Sequence, residues 1–408
     1  MARQYIATGS PFYIVMLGLL SALPPLAIDM GLPAIPALQS AFGVGIGEAT
    51  RTLTVFLLGF SVGPILFGPL SDRYGRKPVL IFGIGLFSLA AVACAYAGSI
   101  GALLLLRLIQ GVAAGAAAAL PAAIVRDVFS GHAALSRQSY VALVNAVAPL
   151  VAPLFGAALL QFGSWRMVYG CLAVVGLALL LLGVLGYEET RPRQAAQRAG
   201  QNVFSAAGAA YGQVLRNRHY LIHAGLLAAS FGAMFAYITG SSAVFIDMLG
   251  VSGGAYGALF ALTAAGTILG AAAGARLARR WGGGRLLAAG VIASAVVSLL
   301  LLGVALAGAG SVAAIAACVL LSNVCAGVVM PNATHQALTT VGHVAGSAAA
   351  LLRSMQMLAG AAAGALVGLL AGNQLTVMAV VMTLSSMLGL ALLGARHLLL
   401  GKAEPAAV

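Results

Sequence analysis

The sequence predicts an all-α integral membrane protein with twelve transmembrane helices, arranged as two halves of six. Of the 408 residues, 62% are hydrophobic and only 7% are charged, and the apolar residues form long runs. A soluble domain has roughly a quarter of its residues charged, so a large soluble enzyme is excluded. A transmembrane helix needs about 20 apolar residues, and the chain has room for twelve with short loops.

Twelve apolar runs, separated by charged or turn-rich segments, define the predicted helices. They cover residues 12–38, 50–70, 78–98, 101–124, 138–161, 166–187, 221–247, 255–277, 285–307, 312–334, 346–371 and 375–397. The first run is too long for the hydrophobic region of a cleavable signal peptide, so we expect it to remain as a transmembrane helix.

The longest polar segment divides the twelve spans into six and six. This predicts an N-terminal half over residues 1–187, a cytoplasmic linker over 188–220 and a C-terminal half over 221–408. The second part of the linker has apolar residues at helical spacing, which predicts an amphipathic helix on the inner membrane surface. Its apolar residues are Phe204, Ala207, Tyr211, Val214 and Leu215.

The positive charge is explained by membrane topology. The net charge of +13 comes from 21 Lys and Arg residues against 8 Asp and Glu residues. With the N-terminus in the cytoplasm, 18 of the 21 fall on the inner side and only Arg51 and Arg166 on the outer side. Because Lys and Arg are concentrated on the cytoplasmic side of membrane proteins, both termini are predicted to be cytoplasmic. We expect no nucleic-acid partner.

Asp29 is the only acidic residue well inside a predicted span, where a charge is costly and usually kept for function. Arg107 is the one basic residue assigned to a span interior. At about 1.5 Å per residue, Asp29 lies about 13 Å and Arg107 about 9 Å from the outer ends of their helices. We therefore predict that they meet directly or through water. Burial favours a neutral acid and a nearby Arg favours a carboxylate, so this site can exchange a proton.

The alternative role for Asp29 is structural, with a permanent Arg partner. Four prolines flank this residue and favour a functional site, because prolines within a span leave backbone carbonyls without a donor. They are Pro24, Pro25, Pro33 and Pro36.

Two loops about 206 residues apart match each other. Gly68–Pro78 follows span 2 and Gly274–Arg285 follows span 8, and both contain basic, aromatic and glycine residues. Matching loops in two six-span halves indicate parallel repeats, with a substrate site between them.

The first of these loops is predicted to form a cytoplasmic latch. Gly68 and Gly75 permit a tight turn. Asp72 is placed to accept hydrogen bonds from the N-terminus of span 11, and Arg76 is placed to pair with Asp127 at the inner end of span 4. The alternative is that these charges only determine the topology.

The motifs resemble those of the major facilitator superfamily over nearly the whole chain. Gly68–Pro78 is similar to the signature loop between spans 2 and 3 of that superfamily. Arg107–Gly111 resembles the span-4 motif of its drug:proton antiporters. Leu23–Ala34 and Met330–Ala333 resemble its Bcr/CflA-like multidrug efflux branch.

Span 5 resembles the antiporter motif GxxxGPxxGG, although Ala148, Ala152 and Ala157 stand where the motif has glycine. The resemblance implies that three other residues let span 5 bend and pack closely at the interface between the halves. These residues are Pro149, Pro153 and Gly156.

The resemblance implies a twelve-helix major facilitator fold in a bacterial inner membrane, working by alternating access. Asp29 would carry the proton, Arg107 would be its conformational partner, and the charges of the loop and span 4 would close the inner side. The second loop lacks an acid where Asp72 stands, which implies an asymmetric latch. The first span has Ser21 but no second acid, which is against two-proton or divalent-cation schemes.

The predicted substrates are small amphiphilic compounds, because the polar groups inside spans are few and the surroundings apolar. The candidate cavity residues are Asn145, Phe231, Phe235, Tyr237, Tyr256, Asn332, Gln336 and Gln356. Each of them could instead serve helix packing. We expect a monomer surrounded by lipid, since one chain contains both halves of the pathway.

The predicted function is proton-coupled export of drugs or similar compounds. The alternative is a narrow-specificity transporter of a natural metabolite such as a nucleoside, a sugar or a siderophore. An intramembrane enzyme is not expected, because HExxH, GxSxG and paired intramembrane Asp residues are absent. The four cysteines lie in apolar segments without CxxC or histidine spacing, so we expect no metal, disulfide or cofactor beyond the proton gradient.

Overall fold

The computed structural model describes residues 6–8, 10–190 and 203–400, and these form helices and turns without a β-strand. The α-helices are α1 Pro11–Asp29, α2 Ile35–Phe42, α3 Ile46–Tyr74, α4 Arg76–Ala95, α5 Ile100–Val128, α6 Gly131–Phe162, α7 Arg166–Gly186, α8 Val203–Arg216, α9 Arg218–Ser242, α10 Gly253–Trp281, α11 Gly283–Leu306, α12 Val312–Thr339, α13 Ala345–Leu369 and α14 Gln374–Leu400. Within these ranges, twelve segments are long and apolar enough to cross a membrane, and they coincide with the twelve predicted spans.

The first span is interrupted at Asp29. Helix α1 ends there, a 3₁₀ turn covers Leu32–Ala34, and α2 continues the span to Phe42. Pro33 explains the break, because its nitrogen has no hydrogen for the carbonyl of Asp29 four residues earlier. The sequence predicted that prolines leave backbone carbonyls of this span without a hydrogen-bond donor. In the structure the helix also ends at Asp29, and a separate helix, α2, continues the span.

The chain divides into two compact units. The first contains the residues up to Ala209 together with Val251–Ala261, and the second contains Ala210–Gly250 together with the residues from Leu262. The predicted domain boundaries at 187 and 220 stay a prediction.

The predicted amphipathic helix is present as α8. Its Val214 is fully buried in a hydrophobic cluster with Tyr220 and Leu287, so the end of α8 packs on helices of the second unit. Residues 191–202 and the side chain of Phe204 lie outside the described part of the chain. For these residues the linker prediction stays a prediction.

In the first unit, α3 and α5 are in backbone contact through glycines. A Cβ atom on Gly111 would overlap the carbonyl oxygen of Phe56, and one on Gly59 would overlap that of Leu108. The second unit repeats this arrangement between α10 and α12, where Gly270 faces the Val324 carbonyl. Such contacts let helices approach closely in a membrane.

The two matching loops share a backbone conformation. Gly75 before α4 has φ 103° and ψ 156°, and Gly282 before α11 has φ 76° and ψ 147°. Residues with a side chain rarely adopt these values, so glycine is required at both turns. The shared turn and the shared glycine contacts support the predicted internal repeat.

Replacing Gly111 with Ala is expected to lower the stability of the purified protein by about 1–3 kcal/mol, because the added methyl group overlaps backbone that cannot easily move. Thermal unfolding in detergent measures this loss. Gly101→Ala is the control, because Gly101 is in the same helix and a Cβ atom there meets open space. An equal effect of both substitutions would contradict the backbone contact.

Candidate functional site

Arg107 links three helices inside the first unit. Only 1% of its surface is exposed, and it is held by groups on α1, α3 and α5. Its guanidinium donates hydrogen bonds to the carbonyl oxygen of Ala27 at 3.1 Å, to that of Thr52 at 3.3 Å and to Oε1 of Gln110 at 2.8 Å. Three acceptors without a negative charge therefore satisfy a buried cation.

Two aromatic rings complete the surroundings of this guanidinium. Its central carbon lies 4.3 Å from the ring centre of Phe56 and 5.7 Å from that of Tyr169. A cation over an aromatic face is stabilised by the ring's quadrupole. The amide nitrogen of Gln110 is also buried here and has no partner among the described residues.

Asp29 lies at the end of α1 and is 4% exposed. Its carboxylate forms no ion pair and no hydrogen bond within the described residues. A direct contact with Arg107 is therefore absent among the described residues, and the alternative, a contact through water, stays a prediction. The physical reason is that the guanidinium is occupied by neutral acceptors, one of which is the carbonyl of Ala27, two residues before Asp29.

The predicted antiporter-motif residues lie in α6, which packs along α1. A Cβ atom on Gly156 would overlap the carbonyl oxygen of Met30, directly after Asp29. Glycine at this position therefore lets α6 approach the break in the first span. Pro149 and Pro153 remain inside α6, which continues through both.

The predicted charge cluster of Gly68–Pro78 is present, but the predicted turn at Gly68 is wrong, because this residue lies inside α3 and only Gly75 separates α3 from α4. Arg76 donates from Nη1 to Asp72 at 2.6 Å and from Nε to Asp127 at 2.7 Å, and Nη1 also donates to the hydroxyl of Ser71 at 2.6 Å. The predicted pairing of Arg76 with Asp127 is confirmed. Asp72 pairs with Arg76, and its predicted contact with the start of span 11 stays a prediction.

Glu189 is a part of this cluster that the sequence analysis missed. Its carboxylate accepts hydrogen bonds from the backbone N–H groups of Arg76 at 2.9 Å and Lys77 at 3.0 Å. It thereby caps the positive N-terminal end of α4. A Cβ atom on Gly75 would contact the Glu189 carboxylate, so glycine there serves both the turn and the cap. The sequence predicts Glu189 only as part of the linker over 188–220, and nothing in that prediction indicates the cap.

The chain around Glu189 is fastened to the same loop. Lys77 Nζ donates to the carbonyl oxygens of Val184 and Tyr187. Tyr187 is fully buried, stacks on Tyr13 and shares a hydrogen bond with Thr190. Burial raises the pKa of the Tyr187 phenol well above its ordinary value, so it stays neutral. The start of the linker is therefore tied to the loop between spans 2 and 3.

The candidate cavity residues have partners or packing roles. Asn145 and Tyr256 belong to the first unit and the other six to the second. Tyr256 is fully buried, and the Tyr237 hydroxyl shares a 2.7 Å hydrogen bond with Thr263.

Phe231 and Phe235 stack with ring centres 5.7 Å apart, and Asn332 donates to the Val328 carbonyl of its own helix at 2.8 Å. The amide of Gln336 is buried without a hydrogen-bond partner among the described residues. These contacts show how the residues pack, and their role in a cavity stays a prediction.

A second missed residue is Arg353. The sequence analysis counted it among the inner topology charges, although it lies within the predicted span 346–371. The structure places it inside α13, where Nη1 donates to Oε1 of Gln356 at 3.2 Å. The signal was available in the sequence, because Arg353 is eight residues after the start of α13.

Replacing Glu189 with Ala is expected to speed amide hydrogen exchange at Arg76 and Lys77 by about tenfold, because both N–H groups lose a charged acceptor. Exchange measured by mass spectrometry on the purified protein tests this. Glu188→Ala is the matched control, since Glu188 is the adjacent exposed acid and forms no hydrogen bond or ion pair within the described part of the chain. Unchanged exchange in Glu189→Ala would contradict the cap.

Comparison with known proteins agrees with this architecture. The family model of the Major Facilitator Superfamily matches residues 17–365. The uncharacterized MFS-type transporter YdgK of Bacillus subtilis is 32% identical over 363 residues, which cover 87% of this chain and 88% of YdgK. A bicyclomycin resistance protein homolog of Haemophilus influenzae is 30% identical over 248 residues, which cover 61% of this chain and 62% of that relative, less than two thirds of its length.

A solved structure shows the same fold. The xylose transporter XylE of E. coli, in a partially occluded inward open conformation, superposes with a TM-score of 0.71 at 16% identity. The match covers 97% of this chain and all of that structure's chain. The resemblance stated from the motifs is thereby confirmed, as is the predicted fold class. The chain belongs to the Major Facilitator Superfamily of membrane transporters.

Proposed function

We propose that this chain is a proton-coupled exporter of drugs or similar small amphiphilic compounds. The observation that carries the proposal is the state of Asp29, which is buried at a break in a membrane helix without a basic partner in the described residues. A carboxylate in such a place is costly, and taking up a proton removes that cost.

The surroundings of Asp29 suit reversible protonation. Arg107 bonds the carbonyl of Ala27 and leaves the carboxyl of Asp29 available. If the helix shifts when the transporter changes conformation, the guanidinium can move from a neutral carbonyl to a charged carboxylate over a short distance. In that geometry Arg107 would favour release of the proton. Because Gly156 of α6 contacts the backbone of Met30, a movement of α6 would also shift the backbone next to Asp29.

Two further points support export of drugs rather than another class of activity. A relative of this chain is named a bicyclomycin resistance protein homolog, and the family is one of transporters. We therefore propose no catalytic activity.

The charge cluster around Arg76 would serve as the inner latch of the alternating-access cycle, and Asp72 would contribute its more exposed carboxylate.

The distribution of Lys and Arg supports an orientation with both termini in the cytoplasm. We further propose a bacterial inner membrane, because the named relatives are bacterial, and a monomer, because one chain contains both halves. Reporter fusions at the C-terminus test this orientation. Activity of a reporter that works only outside the cytoplasm would contradict it.

Asp29→Asn is expected to abolish protection of an efflux-deficient bacterium against a compound that the wild-type protein exports. Asn cannot release a proton, so pH-driven export should fall by at least tenfold, to the level without the protein, as expected for losing a required proton carrier. Growth inhibition and compound accumulation across a broad panel measure this. Asp247→Asn is the control, since Asp247 is exposed near the end of span 7.

Full protection by Asp29→Asn would remove this residue as the obligatory proton carrier. If the wild-type protein protects against none of the panel, the narrow-specificity metabolite transporter becomes the better explanation.

A further inference from the structure

Arg353 is a cation inside a membrane helix of the second unit that lacks a carboxylate partner. Among the described residues it donates one hydrogen bond, to Gln356, although a guanidinium has five N–H donors. Arg107 is different, because three acceptors and two rings surround it. A charged group at membrane depth usually marks a ligand or an ion path when it is not paired.

No acid within the described part of the second unit can reach Arg353. The only one is Asp247, near the far end of span 7. Tyr220, near the start of that span, donates to the carbonyl of Ala348 near the start of α13, so the two helices begin side by side. At about 1.5 Å per residue, Asp247 is then about 40 Å along its helix, whereas Arg353 is about 8 Å beyond Ala348.

The guanidinium of Arg353 lies beside the side chain of Gln356, which is three residues farther along α13. Arg353 is half-buried, so part of its side chain is open to a ligand.

The polar side chain beside the guanidinium is itself buried. Gln356 is 9% exposed, and its amide nitrogen has a weak acceptor in the sulfur of Met330 at 3.9 Å. The guanidinium and this amide together offer several donors, and no acid lies beside them among the described residues.

We propose that Arg353 and Gln356 bind the carboxylate or sulfonate of an amphiphilic organic anion, and that such anions are a substrate class of this transporter. The planar guanidinium can donate two parallel hydrogen bonds to an oxyanion, and the Gln356 amide can donate a third. The apolar residues of the neighbouring helices would contact the rest of the molecule. The substrate assignment rests on the proposed transport function, whereas the anion site itself does not.

Three dansyl probes of different charge test the site on the purified full chain in uncharged detergent. Dansylglycine carries a carboxylate, dansylglycinamide is neutral and dansylcadaverine is cationic. We expect wild-type protein to bind dansylglycine about tenfold more tightly than the amide, because charge-assisted hydrogen bonds form only with the anion. Arg353→Gln should remove this preference and leave binding of the neutral probe within about twofold, since only the charged contact is lost.

Two further variants make the result specific. Arg353→Lys keeps the charge and should retain part of the preference, and Arg285→Gln removes an exposed Arg of the same unit and should retain all of it. Equal binding of the anionic and neutral probes by wild type would overturn the proposal. So would an equal loss of all three probes in both Arg353→Gln and Arg353→Lys, which would indicate a structural role.

The source of the anion is tested in the same assay. Phosphatidylglycerol that displaces dansylglycine at a lower concentration than free dansylglycine itself would assign the site to a lipid headgroup and overturn the substrate assignment. The binding assay uses no proton gradient, so failure of the anion site is distinguishable from failure of proton-coupled export, which the growth assay measures.

Discussion

The hydrogen bond from Arg107 to the carbonyl of Ala27 is the contact on which the first unit's polar interior depends. It joins α5 to the turn of α1 that ends at Asp29, and the bond to Thr52 joins both to α3. A buried guanidinium is stable only if its donors are satisfied. Because neutral carbonyls satisfy them here, the nearby acid is left without a cation and can exist in its protonated form.

The break in the first span and the glycine contacts serve the same arrangement. Pro33 ends the regular hydrogen bonding at Asp29, so the acidic side chain lies at a helix end within the membrane. Gly111 brings α5 against α3, and Gly156 brings α6 against Met30. Without Gly111, α5 and α3 would stand farther apart, which would lengthen the bond from Arg107 to the Thr52 carbonyl.

The two units share a backbone pattern but differ in charge. Gly75 and Gly282 make the same turn, but the residues that follow them differ. Arg76 follows Gly75, whereas the uncharged Gly283 follows Gly282. The described part of the second unit contains a single acid, Asp247. The ion-paired cluster around Arg76 is thus a feature of the first unit, and no acid of the second unit's described part lies within reach of Arg353.

Much of this could be predicted from the sequence, because membrane spans follow from length and hydrophobicity. Asp29, Arg107, and the pair of Arg76 with Asp127 were found because charges near apolar segments are few. The bond of Arg107 to a carbonyl could not be predicted, since it depends on how closely α5 approaches α1. The cap that Glu189 forms on α4 could not be predicted either, because Glu189 and Arg76 are more than a hundred residues apart in the sequence.

Proton release on substrate binding shows whether Asp29 carries the coupling proton. Purified protein in weakly buffered detergent, with a pH indicator, is mixed with an exported compound. We expect the wild-type protein to release protons, and Asp29→Asn, which still binds the compound, to release none. Equal release from both proteins, or none from the wild type, would refute this role of Asp29.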